Sequence, residues 1–300
     1  MEKDIWNLAT SPRAQSLPMS GTDKGPEPVF VLPGLGVDAS LLMRLLDHHP
    51  GVRAAEDSPD LKLGPEDSMR EAVDSLIASA SRDASMSLRH RGEGRPASVP
   101  LRWVCTRFGA GPRSRLDPLL KAFPSARVLA LIRDGRDVIV EQRLASLRAS
   151  SYDGLSPEAR AHAVAAAAFH SAGPGAVSRA RVPVNLFCPV SLRVHTNRWI
   201  ESLRPVHLAA ELAGDRAKVI RADDFVAETF RAHASVCVWL GLAGDAADIL
   251  GAVESARGQV GAATRRGVWR EVLSEADIAA FKRMAGELLV ELGYEQGTGW

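Results

Sequence analysis

The sequence predicts an α/β fold: a parallel β-sheet flanked by helices, with a helical C-terminal third. The apolar run at 126–132, ARVLALI, shows no alternation, as expected of a parallel strand that is buried on both faces. A short apolar stretch at 28–33 precedes a turn with two glycines and then a helical pattern. The same order of strand and helix recurs at least twice more, and this repetition is typical of a parallel α/β sheet.

The first strand–turn–helix unit is the most informative part of this pattern. Residues 28–33, PVFVLP, are apolar and β-branched, and the turn 34–40, GLGVDAS, follows directly. Residues 41–49 have helical spacing, and the helix is expected to stop at Pro50. This is the usual opening unit of a nucleotide-binding sheet.

The remaining elements are expected in sequence order. Ser156 and Pro157 are typical of a helix start, as N-cap and first helical residue. We expect loops or turns at 91–98 and 133–136, strands at 101–105, 126–132 and 218–221, and helices over 65–89, 115–123, 137–149, 195–212, 227–240, 246–255 and 274–292.

Length and composition indicate an ordinary globular protein of 300 residues, 46% hydrophobic and 24% charged. Residues 1–27 are rich in Ser, Pro, Gly and charge, so we expect a flexible arm there and one domain over 28–300. No apolar run approaches the roughly 18 residues of a membrane-spanning helix, and no signal peptide is expected.

The charge balance argues against nucleic acid and membrane surfaces as partners. There are 37 Lys and Arg against 36 Asp and Glu, so any anion site must be local. Cys105, Cys188 and Cys237 form no CxxC pair, which argues against a disulfide framework and against structural zinc. We therefore expect a cytoplasmic protein without a bound metal.

Five blocks of sequence occur in order between residues 28 and 295. They are VFVLPGLGVDASLLMRLLDHHPGVRAAED, FPSARVLALIRDGRDV, HTNRWIESLRPV, VIRADDFVAE with VWLGL, and RRGVWREVLSEADIAAFKRMAGELLVELGYE. Together they resemble the sulfotransferase family, especially its bacterial and tyrosylprotein-sulfating branches. The resemblance implies the P-loop-like sulfotransferase fold and transfer of a sulfonate group from PAPS to a hydroxyl or amine. The acceptor would be a small molecule or a carrier-bound metabolite.

The resemblance implies that the turn after the first strand binds the 5′-phosphosulfate, through backbone N–H groups at a helix start and one basic side chain. This sequence departs from that pattern. Gly36 stands at the position of the catalytic cation, Val37 replaces a serine, and Asp38 replaces a glycine. Ala39 replaces a threonine, and only Ser40 keeps a hydroxyl. The Asp38 carboxylate would repel the donor.

The 3′-phosphate position departs in a similar way. Arg133 and Arg136 match the family, but Glu141 stands where the family has its phosphate-binding serine. Two further cofactor-binding candidates, Arg265 and Arg266, precede the tryptophan of the family's Gly-x-Trp motif. That tryptophan is Trp269, which we expect as a wall of the cleft or as a core residue. The alternative for Arg265 and Arg266 is a solvated loop without a ligand.

On the acceptor side, the resemblance places Asp57 at the position of the general base and Arg107 at that of a conserved lysine. Arg107 would stabilise the leaving group in place of the missing cation. The alternative for Asp57 is a surface carboxylate in an acidic loop.

Three functions remain open from the sequence: a working PAPS-dependent enzyme, a non-catalytic homologue or partner subunit, and a repurposed enzyme. In the last, Asp57, Asp38 or Glu141 would act as acid or base. The sequence identifies neither the acceptor nor a homo- or hetero-oligomeric state.

Overall fold

The computed structural model describes residues 25–55, 66–90, 100–107, 116–149, 186–242, 266–297 and 299–300. The chain divides into two compact units, the first comprising 1–132 and 202–264 and the second 133–201 and 265–300. Four predicted features lie wholly or mostly outside the described residues: the arm 1–27, the loop 91–98, and the helices expected from Ser156 and over 246–255.

The first unit contains a five-stranded parallel sheet in the order β2-β3-β1-β4-β5, which confirms the predicted fold class. Its strands are β1 Glu27–Pro33, β2 Val52–Ala55, β3 Trp103–Arg107, β4 Arg127–Ile132 and β5 Ala217–Arg221. The central strand β1 pairs with β3 on one side and β4 on the other. Val128–Ile132 of β4 are all buried, as the unbroken apolar run predicts.

Both units contain helices. In the first unit they are α1 Ser40–Asp47, α2 Glu66–His90, α3 Leu116–Ala122, α6 Arg204–Ala213, α7 Ala222–Ala227 and α8 Thr229–Trp239. The second unit has α4 Gly135–Ala149, α5 Pro189–Ser202, α9 Trp269–Val272 and α10 Glu275–Glu291. None of the described helices is long and apolar enough to cross a membrane.

The core of the first unit forms where α1 meets the sheet. Apolar residues recur along α1 at helical spacing, and Leu42, Met43, Leu45 and Leu46 are buried in one cluster with side chains of β1, β3 and β4. This packing fixes the start of α1 beside the end of β1. The turn between the two elements is thereby held at the carboxyl edge of the sheet.

Two helices and one strand differ from the sequence-based expectations. The helix expected over 195–212 is two helices, because Pro205 lies at the start of α6 and has no N–H to continue α5. The helix expected over 227–240 is likewise preceded by a separate short helix, α7. The expectations also missed β2, a four-residue strand with a single buried side chain, Val52, and therefore no recognisable pattern.

Gly34 lets the turn after β1 approach β4 closely. Its N–H donates to the carbonyl oxygen of Leu131 at 2.8 Å. A Cβ at this position would lie 2.5 Å from the same oxygen, which belongs to the backbone and has little freedom to move. Only glycine fits between these two strand ends.

We predict that Gly34→Ala lowers the free energy of unfolding by about 1–3 kcal/mol, the usual range for overpacking. Urea unfolding would measure the loss. Gly25→Ala is the matched control, since a Cβ at Gly25 would meet nothing within 4 Å. Equal stability of the two variants would contradict the close approach.

His233 of α8 is buried in the first unit with its Nε2 3.6 Å from the Sγ of Cys237. Burial lowers the pKa of His233 to about 4, and the nearby His49 and His48 act in the same direction. The imidazole is therefore neutral in the folded protein at neutral pH.

We predict that His233 makes folding sensitive to acid. Because its folded pKa lies below the unfolded value, its stabilising contribution is complete above about pH 6.5 and is lost as the pH falls toward 4. The loss is roughly 3 kcal/mol, at about 1.4 kcal/mol per pKa unit. Unfolding midpoints of the wild type and His233→Gln between pH 7 and 4 would measure it, and parallel pH profiles would refute this role.

Candidate functional site

The glycine turn of the first unit is capped by its own carboxylate. The Oδ1 of Asp38 accepts the backbone N–H of Ser40, the first residue of α1, at 2.8 Å. Hydrogen bonds with Ser40 lower the pKa of Asp38, and the charges of Arg107 and Arg44 lower it further. Asp38 is therefore ionised at neutral pH and occupies an N–H at the helix start that an anion would otherwise use.

Arg107 is the last residue of β3 and is paired in register with Val31 of β1. Arg107 is half-buried as a residue, and its charge contributes to the lowered pKa of Asp38. The structure therefore brings a cation to the neighbourhood of the turn from the adjacent strand. Gly36, at the predicted cation position, has a φ of 73°, a conformation that favours glycine.

In the second unit, Arg133 forms a two-point ion pair with Glu141. The side chain of Arg133 is fully buried, and that of Glu141 is 35% exposed. Nη2 of Arg133 donates to Oε1 of Glu141 at 2.7 Å, and Nη1 donates to the other carboxylate oxygen. The indole N–H of Trp199 donates to the backbone carbonyl of Arg133 at 3.3 Å. The fork of Arg133 is thus occupied by a carboxylate of its own chain.

Arg136 is buried among acidic and aromatic groups. It donates to both carboxylate oxygens of Asp134, from Nε at 3.0 Å and from Nη2 at 2.7 Å, and its Nη1 donates to Glu295. Its guanidinium also stacks on two indoles, 4.0 Å from the ring centre of Trp269 and 4.7 Å from that of Trp300. Arg136 therefore joins α4 to the C-terminal segment rather than facing an open site.

The sequence assigned no role to Asp137, whose carboxylate holds a turn of the second unit in place. It is fully buried in the first turn of α4 and accepts the backbone N–H groups of Gly267 at 2.7 Å and Trp269 at 3.0 Å. Burial raises the pKa of Asp137 to about 6, although the two N–H donors act in the opposite direction. One carboxylate thus holds the whole turn before α9. No local pattern marks this role, since its partners lie 130 residues away.

The predicted site residues divide between the two units. Gly36, Asp38, Ser40 and Arg107 belong to the first unit, whereas Arg133, Glu141, Arg266 and Trp269 belong to the second. Arg266 is exposed beside the turn that Asp137 holds.

Asp57 and Arg265 lie outside the described residues, so their roles stay predictions. Within the described ranges, no group of three or more His, Cys, Asp and Glu is placed to hold a metal ion.

Solved structures of several sulfotransferases are similar to this chain. The sulfotransferase domain of the Synechococcus PCC 7002 olefin synthase is 15% identical over 88% of this chain and 97% of that one, with a TM-score of 0.46. The sulfotransferase domain from the curacin biosynthetic pathway is 14% identical over 88% and 98%, with a TM-score of 0.44. Mouse sulfotransferase SULT7A1, solved with PAP, is 12% identical over 98% and 90%, with a TM-score of 0.44.

No protein-family model matches the sequence, and no curated protein is similar to it in sequence.

We predict that Asp137→Ala raises amide hydrogen exchange at Gly267 and Trp269 roughly tenfold or more. The reason is that a hydrogen bond to a charged acceptor contributes about 1.5–3 kcal/mol. Exchange measured by mass spectrometry on the peptide covering 266–272 would test this. Asp117→Ala is the control, because Asp117 pairs with Lys121 on the same helix, away from this turn in sequence. Unchanged exchange in the Asp137 variant would contradict its role.

Proposed function

We propose that this protein is a sulfotransferase-type homologue that does not use PAPS and is non-catalytic at the two phosphate positions. The observation that carries the proposal is the ion pair between Arg133 and Glu141. Both terminal nitrogens of the buried guanidinium donate to one carboxylate, the two-point geometry in which arginine binds a phosphate. The chain therefore supplies its own anion where the resemblance implies the 3′-phosphate.

Electrostatics at this position oppose a bound phosphate. A phosphate approaching Arg133 must displace Glu141 or lie beside it, and placing like charges together costs several kcal/mol. Displacement breaks an existing two-point ion pair to form a similar one, so phosphate binding gains only the difference between the two pairings.

Asp38 also opposes a bound anion, at the turn that the resemblance assigns to the 5′-phosphosulfate. Its pKa is held below the usual value, so it carries a negative charge at neutral pH. Its carboxylate already accepts the N–H of Ser40 at the start of α1. An anionic donor group would therefore meet a negative charge and a helix start whose first N–H is engaged.

The same contacts argue against Asp38 and Glu141 as new acid–base groups. A carboxylate with a lowered pKa is a weak general base, as Asp38 is. Both carboxylate oxygens of Glu141 already accept N–H groups of Arg133. Among the three functions that the sequence leaves open, these contacts favour the non-catalytic homologue, whose cleft or surface would serve a partner.

A PAPS-dependent transferase is the second candidate, and the retention of Arg133 and Arg136 at the end of β4 favours it. In that case Glu141 would leave Arg133 when the 3′-phosphate binds. Arg107 would stabilise the leaving phosphate oxygen, and Asp57 would deprotonate the hydroxyl or amine acceptor. The acceptor would be a small molecule or a carrier-bound metabolite.

The two candidates predict opposite results with adenosine 3′,5′-bisphosphate, the desulfonated donor. We predict that calorimetry with the wild-type protein gives no measurable heat at about millimolar ligand, since Arg133 is already paired. Glu141→Ser removes the competing carboxylate and should strengthen binding at least about tenfold, because 1.4 kcal/mol corresponds to a factor of ten.

Glu141→Gln provides a second variant that keeps the side-chain size and loses the charge. Asp117→Asn, a surface change on α3, is the control and should leave binding unchanged. Micromolar binding by the wild type, abolished by Arg133→Ala, would overturn the proposal and establish the PAPS-dependent reading. Failure of both Glu141 variants to gain affinity would show that Glu141 is not the blocking group.

A further inference from the structure

The indole of Trp300 lies against two basic side chains of the second unit. The Cζ atom of Arg136 is 4.7 Å from the ring centre of Trp300, and Nζ of Lys282 on α10 is 5.3 Å from it. Nζ of Lys282 also donates to the backbone carbonyl oxygen of Trp300. All three residues belong to the second unit. Two cations therefore hold one aromatic ring and the carbonyl group attached to it.

The attachment of Trp300 to the rest of the unit is loose in its backbone. Trp300 is half-buried, whereas Gly297 and Gly299 before it are exposed. A Cβ at either glycine would meet nothing within 4 Å. The ring is thus connected through glycines that pack against no neighbouring group, and it can leave its position without moving the core.

The indole N–H of Trp300 is buried and has no acceptor among the described residues. A buried donor without a partner opposes the docking of the ring. The two neighbouring cations, by contrast, attract the electron-rich face of an aromatic ring. The position therefore suits a planar ring better than it suits this particular indole.

Arg136 does not depend on Trp300 for its counter-charge. Asp134 accepts from Nε and Nη2 of the guanidinium, and Glu295 accepts from Nη1. Trp269 stacks on the same guanidinium at 4.0 Å. When the ring of Trp300 leaves, the buried charge keeps its ion pairs, and a second ring can take the same position.

We propose that the position of Trp300 is a binding site for a planar aromatic carboxylate, and that Trp300 occupies it as an internal ligand. The ring of the bound molecule stacks on the guanidinium of Arg136, and its carboxylate accepts from Nζ of Lys282. A carboxylate suits Lys282 better than a carbonyl group does, because it adds the attraction of opposite charges to the hydrogen bond. The site is independent of whether Arg133 binds a phosphate.

N-acetyltryptophan is the probe, since it carries both an indole and a carboxylate. Calorimetry on the full chain with Trp300→Ala should show binding at least about tenfold tighter than on the wild type, because the wild type binds only while its own ring is away. N-acetylnaphthylalanine, which has two fused rings and no indole N–H, should bind Trp300→Ala several-fold tighter still. The uncharged N-acetyltryptophan amide should bind roughly tenfold more weakly than the acid.

Lys282→Ala, added to Trp300→Ala, should weaken the binding of N-acetyltryptophan roughly tenfold, because it removes the donor to the carboxylate. Arg283→Ala in the same background is the matched control, since Arg283 is an exposed basic residue next to Lys282 on α10. It should leave the affinity unchanged. Trp300→Leu also removes the planar ring, and it provides a second variant that should gain affinity over the wild type.

The proposal is overturned if N-acetyltryptophan binds the wild type and both Trp300 variants equally, or if it binds none of them at about millimolar concentration. Equal affinity for the acid and the amide would exclude the carboxylate as the recognised group. An equal loss in the Lys282 and Arg283 variants would also overturn the site, because general positive charge would then attract the ligand.

Discussion

A buried guanidinium requires a counter-charge, and this requirement organises the second unit. Arg133 and Arg136 are each 1% exposed, and each is matched by carboxylates at hydrogen-bonding distance. Removing one partner of such a pair typically costs about 3–5 kcal/mol, because the other charge is left buried and alone. The positions of Glu141, Asp134 and Glu295 follow from this constraint.

The contacts of Arg136 extend the same constraint across the unit. The guanidinium of Arg136 stacks on Trp269 and on Trp300. The first residue of α9 and the C-terminal segment therefore both pack against one buried charge. Asp137, next to Arg136 in sequence, then engages the two backbone N–H groups of that turn. A short stretch at the start of α4 therefore determines how segments more than 100 residues away are held.

Two carboxylates of this chain engage groups that the sequence resemblance assigns to phosphate binding. A helix start attracts an anion, and a buried arginine is strongly unfavourable without one. Asp38 and Glu141 supply that anion internally in the two units.

The sequence by itself determined the features that depend on local pattern. The unbroken apolar run of β4, the glycine turn after β1 and the spacing of α1 predicted the parallel sheet, and the positions of Asp38 and Glu141 predicted disturbed phosphate sites. Only the tertiary structure decided that Glu141 is the partner of Arg133, that Glu295 pairs with Arg136, and that Asp137 holds the turn at Gly267. Burial decides which charges must pair, and burial arises from contacts between segments that local sequence patterns do not contain.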